Sequence, residues 1–266
     1  MKDKIEIALA QSEDAEKLAD ISKRAFDSDV EVGAQGPGGP PGYDSVDAHR
    51  KDAEDERIDY WKFLFNGQVV GGTRVYKMSN AHGYIYGVFV DPDFHGRGIG
   101  TRTFSLIEEK YPEIMKWSLD TPDWNVRTKG FYEKIGFVQK GVMRWVKEFE
   151  LRFYVKITND SYHEDEVLIA DIKEGMKSIR IRGTIKSISE TRQVTSSKDG
   201  KSHRVANAIL VDDTGSVTLV LWNDYIRQVR EGEEIIIPDG YVNDYRGNLQ
   251  LNINPYSAVI ISGPVE

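Results

Sequence analysis

The chain has 266 residues, of which 39% are hydrophobic and 29% charged, with a formal net charge of −8 at pH 7 and no cysteine. That length suits one large or two ordinary domains of soluble, globular composition, and the missing cysteine excludes disulfides, thiolate zinc sites and cysteine nucleophiles. No apolar run approaches the ~18 residues of a membrane span, the opening Met1-Lys-Asp-Lys-Ile-Glu6 lacks a signal-peptide core, and the negative charge argues against a chain that traps polyanions over its whole surface. A cytoplasmic protein without a metal site is expected.

In chain order, Ile5–Leu9 reads as a strand. Ser12 is a candidate N-cap for a helix with Ala15, Leu18, Ile21 and Ala25 at helical spacing. Residues 33–43, Gly-Ala-Gln-Gly-Pro-Gly-Gly-Pro-Pro-Gly-Tyr, exclude a helix or a central strand and form a loop of unusual length. A charged, helix-like stretch follows from Asp44 to Asp59. Strands are expected at 60–65, 69–78 and 84–90, the first two joined by an Asn66-Gly67 hairpin turn. Thr101 to Lys110 is helix-like, and 114–119 and 141–156 alternate as strands do.

Between the strand ending at Val90 and the helix from Thr101 lies His95-Gly96-Arg97-Gly98-Ile99-Gly100. A glycine-rich turn at the start of a helix converges several backbone N–H groups, adds the positive end of the helix dipole and keeps Cβ atoms out of the way, which suits a phosphate. The run is not the dinucleotide fingerprint, because the third glycine of G-x-G-x-x-G falls on Thr101, and it lacks the G-K-[ST] ending of a nucleotide-triphosphate loop. Some thirty residues on comes Asn125-Val-Arg-Thr-Lys-Gly-Phe131-Tyr132-Glu-Lys-Ile-Gly136-Phe137. The two segments, in this order and at this spacing, resemble the acyl-CoA pyrophosphate loop and the late N-x5-F-Y-E-K-x-G-F motif of the GNAT superfamily of N-acetyltransferases. The resemblance covers residues 1–157 and implies an α/β GNAT fold with a mixed, mostly antiparallel sheet.

The resemblance implies acetyl transfer from acetyl-CoA to a primary amine. It gives backbone contacts to the pantetheine arm at Val88, Phe89 and Val90. It gives a pyrophosphate cradle from His95, Gly96, Arg97, Gly98, Ile99, Gly100 and Thr101, with charge from Arg97 and Arg102. Asn125 would hydrogen-bond the cofactor, and Tyr132 would be the general acid near its sulfur. Two departures stand out. His95 replaces the usual Gln or Arg, and Tyr84 replaces the strand Glu that serves as base in many members. The base is left open among Tyr84, Asp120, His82 acting through water, and none. An acidic rim of Asp44, Asp47, Asp52, Glu54, Asp55, Glu56 and Asp59 would favour a cationic acceptor such as a lysine-rich or N-terminal peptide or a polyamine; a solvated helix face explains it equally.

The acidic stretch 158–166 reads as a linker, and 167–266 as an all-β unit with a net charge near −1. Ile179, Ile181 and Ile185, Val217, Leu219 and Leu221, and Leu249, Leu251 and Ile253 each alternate with outward residues, so five strands would close a small barrel. Alternation puts Trp222 outward and gathers Tyr241, Asn243 and Tyr245 on one face, with Arg246 in the turn. Exposed aromatics beside cations suit base stacking. Asp212-Asp-Thr-Gly-Ser-Val-Thr-Leu-Val-Leu-Trp222, Glu231-Gly-Glu233 and Gly240-Tyr-Val-Asn-Asp-Tyr-Arg-Gly-Asn-Leu-Gln-Leu-Asn252 resemble the five-stranded OB-fold of archaeal single-stranded-DNA-binding proteins. That resemblance gives stacking roles to Trp222, Tyr241 and Tyr245; Arg180, Arg182, Arg192, Lys198, Lys201, Arg204 and Arg246 are candidates for phosphates.

The combined expectation is an acetyltransferase whose OB-fold binds single-stranded DNA or RNA and directs the choice of amine acceptor. Two alternatives remain: a small-amine acetyltransferase whose OB-fold serves docking or homodimer formation, and a nucleic-acid-binding protein whose first half only senses acetyl-CoA.

Overall fold

The computed structural model describes residues 3–144, 149–195, 200–254 and 257–262. The chain packs as two compact units, one of Met1–Gln139 with Tyr154–Tyr162, the other of Lys140–Phe153 with His163–Glu266. Among the described residues, no helix is long and apolar enough to cross a membrane.

The first unit is a mixed, mostly antiparallel sheet flanked by helices. Its strands are β1 (Ile5–Leu9), β2 (Ile58–Phe65), β3 (Gln68–Lys77), β4 (His82–Val90) and β5 (Lys116–Pro122). The pairs β1–β2, β2–β3 and β3–β4 are antiparallel, and β4–β5 is parallel. The helices are α1 (Ala15–Asp27), α2 (Val46–Glu54), α3 (Ile99–Lys110) and α4 (Val126–Lys134). One core joins Phe63, Val75, Ile85, Phe104, Ile107, Trp117 and Tyr132; a smaller one sets Leu18, Ile21 and Ala25 of α1 against Tyr60 and Phe89. The spacing of α1's apolar residues therefore does what it predicts, because one stripe of the helix faces the sheet. Ser12 does not cap α1: its hydroxyl donates to Glu54, while the Asp14 carboxylate accepts the Gln11 N–H. The charged stretch 44–59 yields only the nine-residue α2, capped by the Ser45 hydroxyl, before Ile58 enters β2. The glycine-rich loop before it is anchored at its end, where the Tyr43 hydroxyl donates to Asp27 and its carbonyl meets Nε2 of the buried His49.

The strand-like stretch 141–156 resolves into β6 (Val138–Met143) and β7 (Leu151–Ile157). Lys140–Phe153 pack with the second unit and Tyr154–Tyr162 return to the first, so the division departs from a single cut near 157–166. The reason is local. Val142 of β6 pairs with Ile261, and the Arg144 guanidinium bridges Glu150 and Glu233 at 2.7 Å each.

The second unit is a closed five-stranded barrel of β8 (Ile179–Ile188), β10 (Ser202–Asp212), β11 (Gly215–Trp222), β12 (Glu234–Tyr245) and β13 (Asn248–Ile253). The ladder runs β8–β10–β11–β13–β12 and closes back on β8, with β11–β13 the one parallel pair among them. Two short strands are added, β9 (Arg192–Thr195) on β10 and β14 (Ile260–Ile261) on β12. Ile181, Ile185, Leu219, Leu221 and Leu251 fill the interior.

Candidate functional site

In the first unit the β4–β5 ladder starts at His82↔Lys116 and stops at Ile85↔Leu119, although β4 continues to Val90 and β5 to Pro122. The strands splay, and the second half of β4 presents a main-chain edge that β5 does not use. The Asp91 N–H donates to Val70, and Phe89 is paired with Gly72 on β3. Alternation therefore aims the main chain of Val88 and Val90 into the opening. Phe89, expected among the cofactor contacts, turns its main chain to β3 and its ring toward Phe26 and His49. Arg24 reinforces the end of β4 with two 2.7 Å bonds to the buried Asp91 carboxylate.

The turn that follows brings an unpaired row of donors to that opening. Gly96 and Gly98 have φ of +75° and +73°, which a Cβ disfavours. Gly100 lies where a Cβ would meet the Phe131 ring at 3.0 Å, so it lets α3 approach α4. Among the described residues, the six consecutive main-chain N–H groups from Gly96 to Thr101 have no hydrogen-bond partner; the next one, of Arg102, returns to the Gly98 carbonyl. Six unpaired amides in a row at a helix N-terminus have the chemistry that an anion requires.

The side chains around this cradle are occupied otherwise than the sequence suggests. His95 donates from Nε2 to the Val90 carbonyl at 2.9 Å and so braces the turn from within. The Arg97 guanidinium lies over the rings of Phe65 and Phe94, at 5.6 and 5.3 Å. Arg102 pairs with Glu109 on its own helix at 3.1 Å. Asn125 is 1% exposed; it caps α4 by accepting the Thr128 N–H and donates to Asp29. In this structure Arg97 packs on two rings, Arg102 lies along its helix and Asn125 caps α4.

Tyr132 is wedged among Phe104, Phe131, Phe137 and Tyr154, with ring centroids 5.2–6.1 Å apart, and its hydroxyl makes no hydrogen bond among the described residues. Burial, together with the negative charges of Asp120 and Asp29, pushes its phenol above the usual range, so it keeps its proton at neutral pH. Tyr84, paired with Ser118 near the end of the ladder, donates its hydroxyl to Asp120, the first β5 residue beyond it. Burial raises the Asp120 carboxyl and the Tyr84 hydrogen bond opposes that rise; the Tyr84 phenol is pushed well up by burial and by Asp120. His82 instead holds Ser118 at 2.7 Å. Tyr76 and Tyr86 continue the wall beside Tyr84, with Tyr76 6.4 and 6.3 Å from Tyr84 and Tyr86. Asp29 is a residue that no motif marks. It is partly buried, held by Asn125 and Arg127, and burial lifts its carboxyl.

The acidic rim is in part ion-paired. Asp47 pairs with Arg50, Asp52 with Arg74, Asp55 with Arg57 and Asp59 with Tyr111, while Glu54 accepts from Ser12.

In the second unit, Trp222 is 39% exposed and stands edge-on to His203, and Tyr245 is 55% exposed with the Arg246 guanidinium 5.2 Å above its ring. The registers Tyr241↔Asn252↔Val220 and Asn243↔Gln250↔Thr218 place Tyr241, Asn243, Tyr245 and Trp222 on one outer face, as alternation predicts. Two of the expected cations are already engaged: Arg180 is within 3.2 Å of Glu164 and Glu166, and Arg182 within 3.3 Å of Glu166 and Glu234. Arg204 is 3.7 Å from Asp224. Lys198 lies outside the described residues.

Residues 23–137 match the model of the Acetyltransferase (GNAT) family, and residues 176–260 match that of the Single-stranded DNA binding protein Ssb-like OB fold. The single-stranded DNA binding protein Ssb of Saccharolobus solfataricus is 28% identical over 87 residues, 33% of this chain and 57% of that protein. Replication factor A of Methanothermobacter thermautotrophicus is 31% identical over 100 residues, 36% of this chain and 12% of that protein. The chain thus spans at most about half the length of these curated relatives. Among solved structures, PaiA N-acetyltransferase from Thermoplasma acidophilum in complex with coenzyme A is 15% identical, covering 58% of this chain and 99% of that one, with a TM-score of 0.48. The chain therefore carries a GNAT-family acetyltransferase domain followed by an Ssb-like OB-fold domain.

Proposed function

We propose that the first domain transfers an acetyl group from acetyl-CoA to a primary amine, and that the second binds single-stranded nucleic acid and steers the enzyme to acceptors found there. What supports the transfer is the run of six unpaired amides from Gly96 to Thr101 at the splayed end of β4. A diphosphate sits on those amides, and the pantetheine arm follows the edge of Val88 and Val90 as an added strand would. The thioester carbonyl then comes to the splay, between Tyr132 and the Tyr84–Asp120 pair.

Asp120 is the base that accepts the proton of the incoming ammonium, and Tyr84 positions it through their hydrogen bond. The freed amine nitrogen attacks the thioester carbon; the new C–N bond forms as the C–S bond breaks. Tyr132, neutral and with an unused hydroxyl, gives its proton to the departing thiolate. The nitrogen sheds its second proton to solvent as the C–S bond breaks, so the products are the neutral acetamide and a free thiol; Tyr132 takes one proton back from solvent and the proton on Asp120 is released, one proton net per turnover. The amine enters along the wall of Tyr76, Tyr84 and Tyr86, whose charge is set by Asp120 because Asp52 and Asp55 are already paired.

Removing the Tyr132 hydroxyl tests the assignment. Tyr132→Phe keeps the ring packing, so acetyl-CoA affinity stays within about twofold while turnover falls by about 10²-fold or more. An unchanged turnover removes Tyr132 from the chemistry.

A further inference from the structure

The outer face of the barrel is unusual in what separates its aromatics. Asn243 lies between Tyr241 and Tyr245 on β12, and the cross-strand partners of these three residues are Asn252, Gln250 and Asn248 on β13. Across that face, carboxamides alternate with rings where a backbone-tracking groove would carry lysine and arginine. Asn243 is exposed and Gln250 half-exposed, and their amides have no hydrogen-bond partner among the described residues. A carboxamide offers a donor and an acceptor side by side, which matches base edges and has no net attraction for phosphate.

The cations tell the same story by their engagements. Arg180 and Arg182 are clamped by Glu164, Glu166 and Glu234, and Arg204 faces Asp224. Arg246 is drawn over the Tyr245 ring. Among the described arginines, Arg246, Arg204 and the exposed Arg192 are left to meet phosphates, two or three contacts in all.

We infer that this face reads the bases of single-stranded DNA through the carboxamides of Asn243 and Gln250, beside bases stacked on Tyr241, Tyr245 and Trp222, and relies little on phosphate charge. The inference rests on the nucleic-acid reading of the OB-fold and adds base discrimination to it. A stacked base carries its edge outward from the ring, and the neighbouring amide meets that edge; bases with a mismatched donor and acceptor pattern leave the amide unpaired and bind more weakly.

The test is fluorescence anisotropy of the full chain with labelled dT, dC and dA oligonucleotides of about 12 nucleotides, within the span of one OB-fold. With two or three phosphates engaged at about 0.7 per phosphate, affinity falls only about 7- to 20-fold between about 50 and about 200 mM salt. We expect a slope of log affinity against log salt shallower than about −3. We also expect at least about a fivefold preference among the three sequences, shrinking to about twofold or less in the Asn243→Ala, Gln250→Ala double variant. Both side chains are on the surface, so the variant folds. A steeper slope, equal affinities in the parent chain, or a preference that survives the double substitution overturns the inference while leaving nucleic-acid binding intact. Failure of all three oligonucleotides to bind at low salt overturns the nucleic-acid reading itself, and the inference with it.

Discussion

Replacing Asp120 by asparagine separates chemistry from stability in one residue. Asparagine keeps the shape and can still accept the Tyr84 hydroxyl through its amide oxygen, so the Tyr84 contact survives. What is lost is the negative charge and the ability to take a proton. General-base catalysis is worth about 10²- to 10⁴-fold, or about 2.7–5.5 kcal/mol of transition-state stabilisation, and kcat falls by that factor. Burial raises the folded-state carboxyl above its ordinary value. A base must be ionised, so the parent enzyme loses activity as pH falls through that raised value, and Asp120→Asn lacks this limb. Stability moves the other way. A carboxyl whose folded pKa is raised binds more protons in the native state over the window between its unfolded and folded values; stability falls as pH rises through that window. The variant therefore unfolds at the same or higher denaturant concentration at neutral pH. Thiol release followed with a chromogenic disulfide, beside a urea titration, reads both. A variant that keeps kcat within about threefold refutes Asp120 as the base, and one that loses stability along with activity makes it structural.

Gly98→Ala forces φ of +73° on an L-residue, at about 1–2 kcal/mol, and disturbs the amide cradle; calorimetry with coenzyme A reports an affinity loss larger than that of the surface change Arg102→Ala, whose guanidinium is held by Glu109. Arg24→Ala leaves the buried Asp91 carboxylate without its two charge-assisted bonds and costs about 1–3 kcal/mol in urea unfolding at pH 7. Burial pushes the Asp91 carboxyl up, but the Arg24 hydrogen bonds and charge, with the Asp93 N–H, outweigh it and hold the carboxyl below its ordinary value. The Arg24 contribution is therefore present above the ordinary carboxylate range and disappears as pH falls through it, so parent and variant converge in acid. Trp222→Ala loses about 1–3 kcal/mol of single-strand affinity in anisotropy titrations. Arg180→Ala changes that affinity by less than about twofold, because its charge is already spent on Glu164 and Glu166.

The two folds are legible because each announces itself by spacing. The glycines at 96, 98 and 100 demand a tight turn ahead of a helix, and the Phe131-Tyr132 pair falls on the helix that packs against it. In the barrel, strict alternation sorted Leu219 and Leu221 inward and Trp222 outward. Partners across long sequence distances are not written in local pattern. Nothing near Arg144 points to Glu233, so the affiliation of 140–153 with the second unit is invisible to alternation, which says that a strand has a buried face but not which core receives it. Arginines 180 and 182 look like phosphate ligands until Glu164 and Glu166 fold back onto them. Asn125 fits a cofactor contact and a helix cap equally as a residue type, and the cap is decided only by where α4 begins. Asp29 carries no motif at all; its placement beside Asn125 and Arg127 comes from the turn after α1.

Amine-dependent thiol release tests acetyl transfer directly. The purified chain, incubated with acetyl-CoA and in turn with a lysine-rich peptide, an N-terminal peptide and a polyamine, releases free coenzyme A with at least one of them well above the rate without amine, with the acetylated amine identified by mass. Tyr132→Phe abolishes that increment. Thiol release that never exceeds the amine-free rate with any acceptor, while acetyl-CoA still binds, contradicts a transferase and leaves a domain that only holds the thioester.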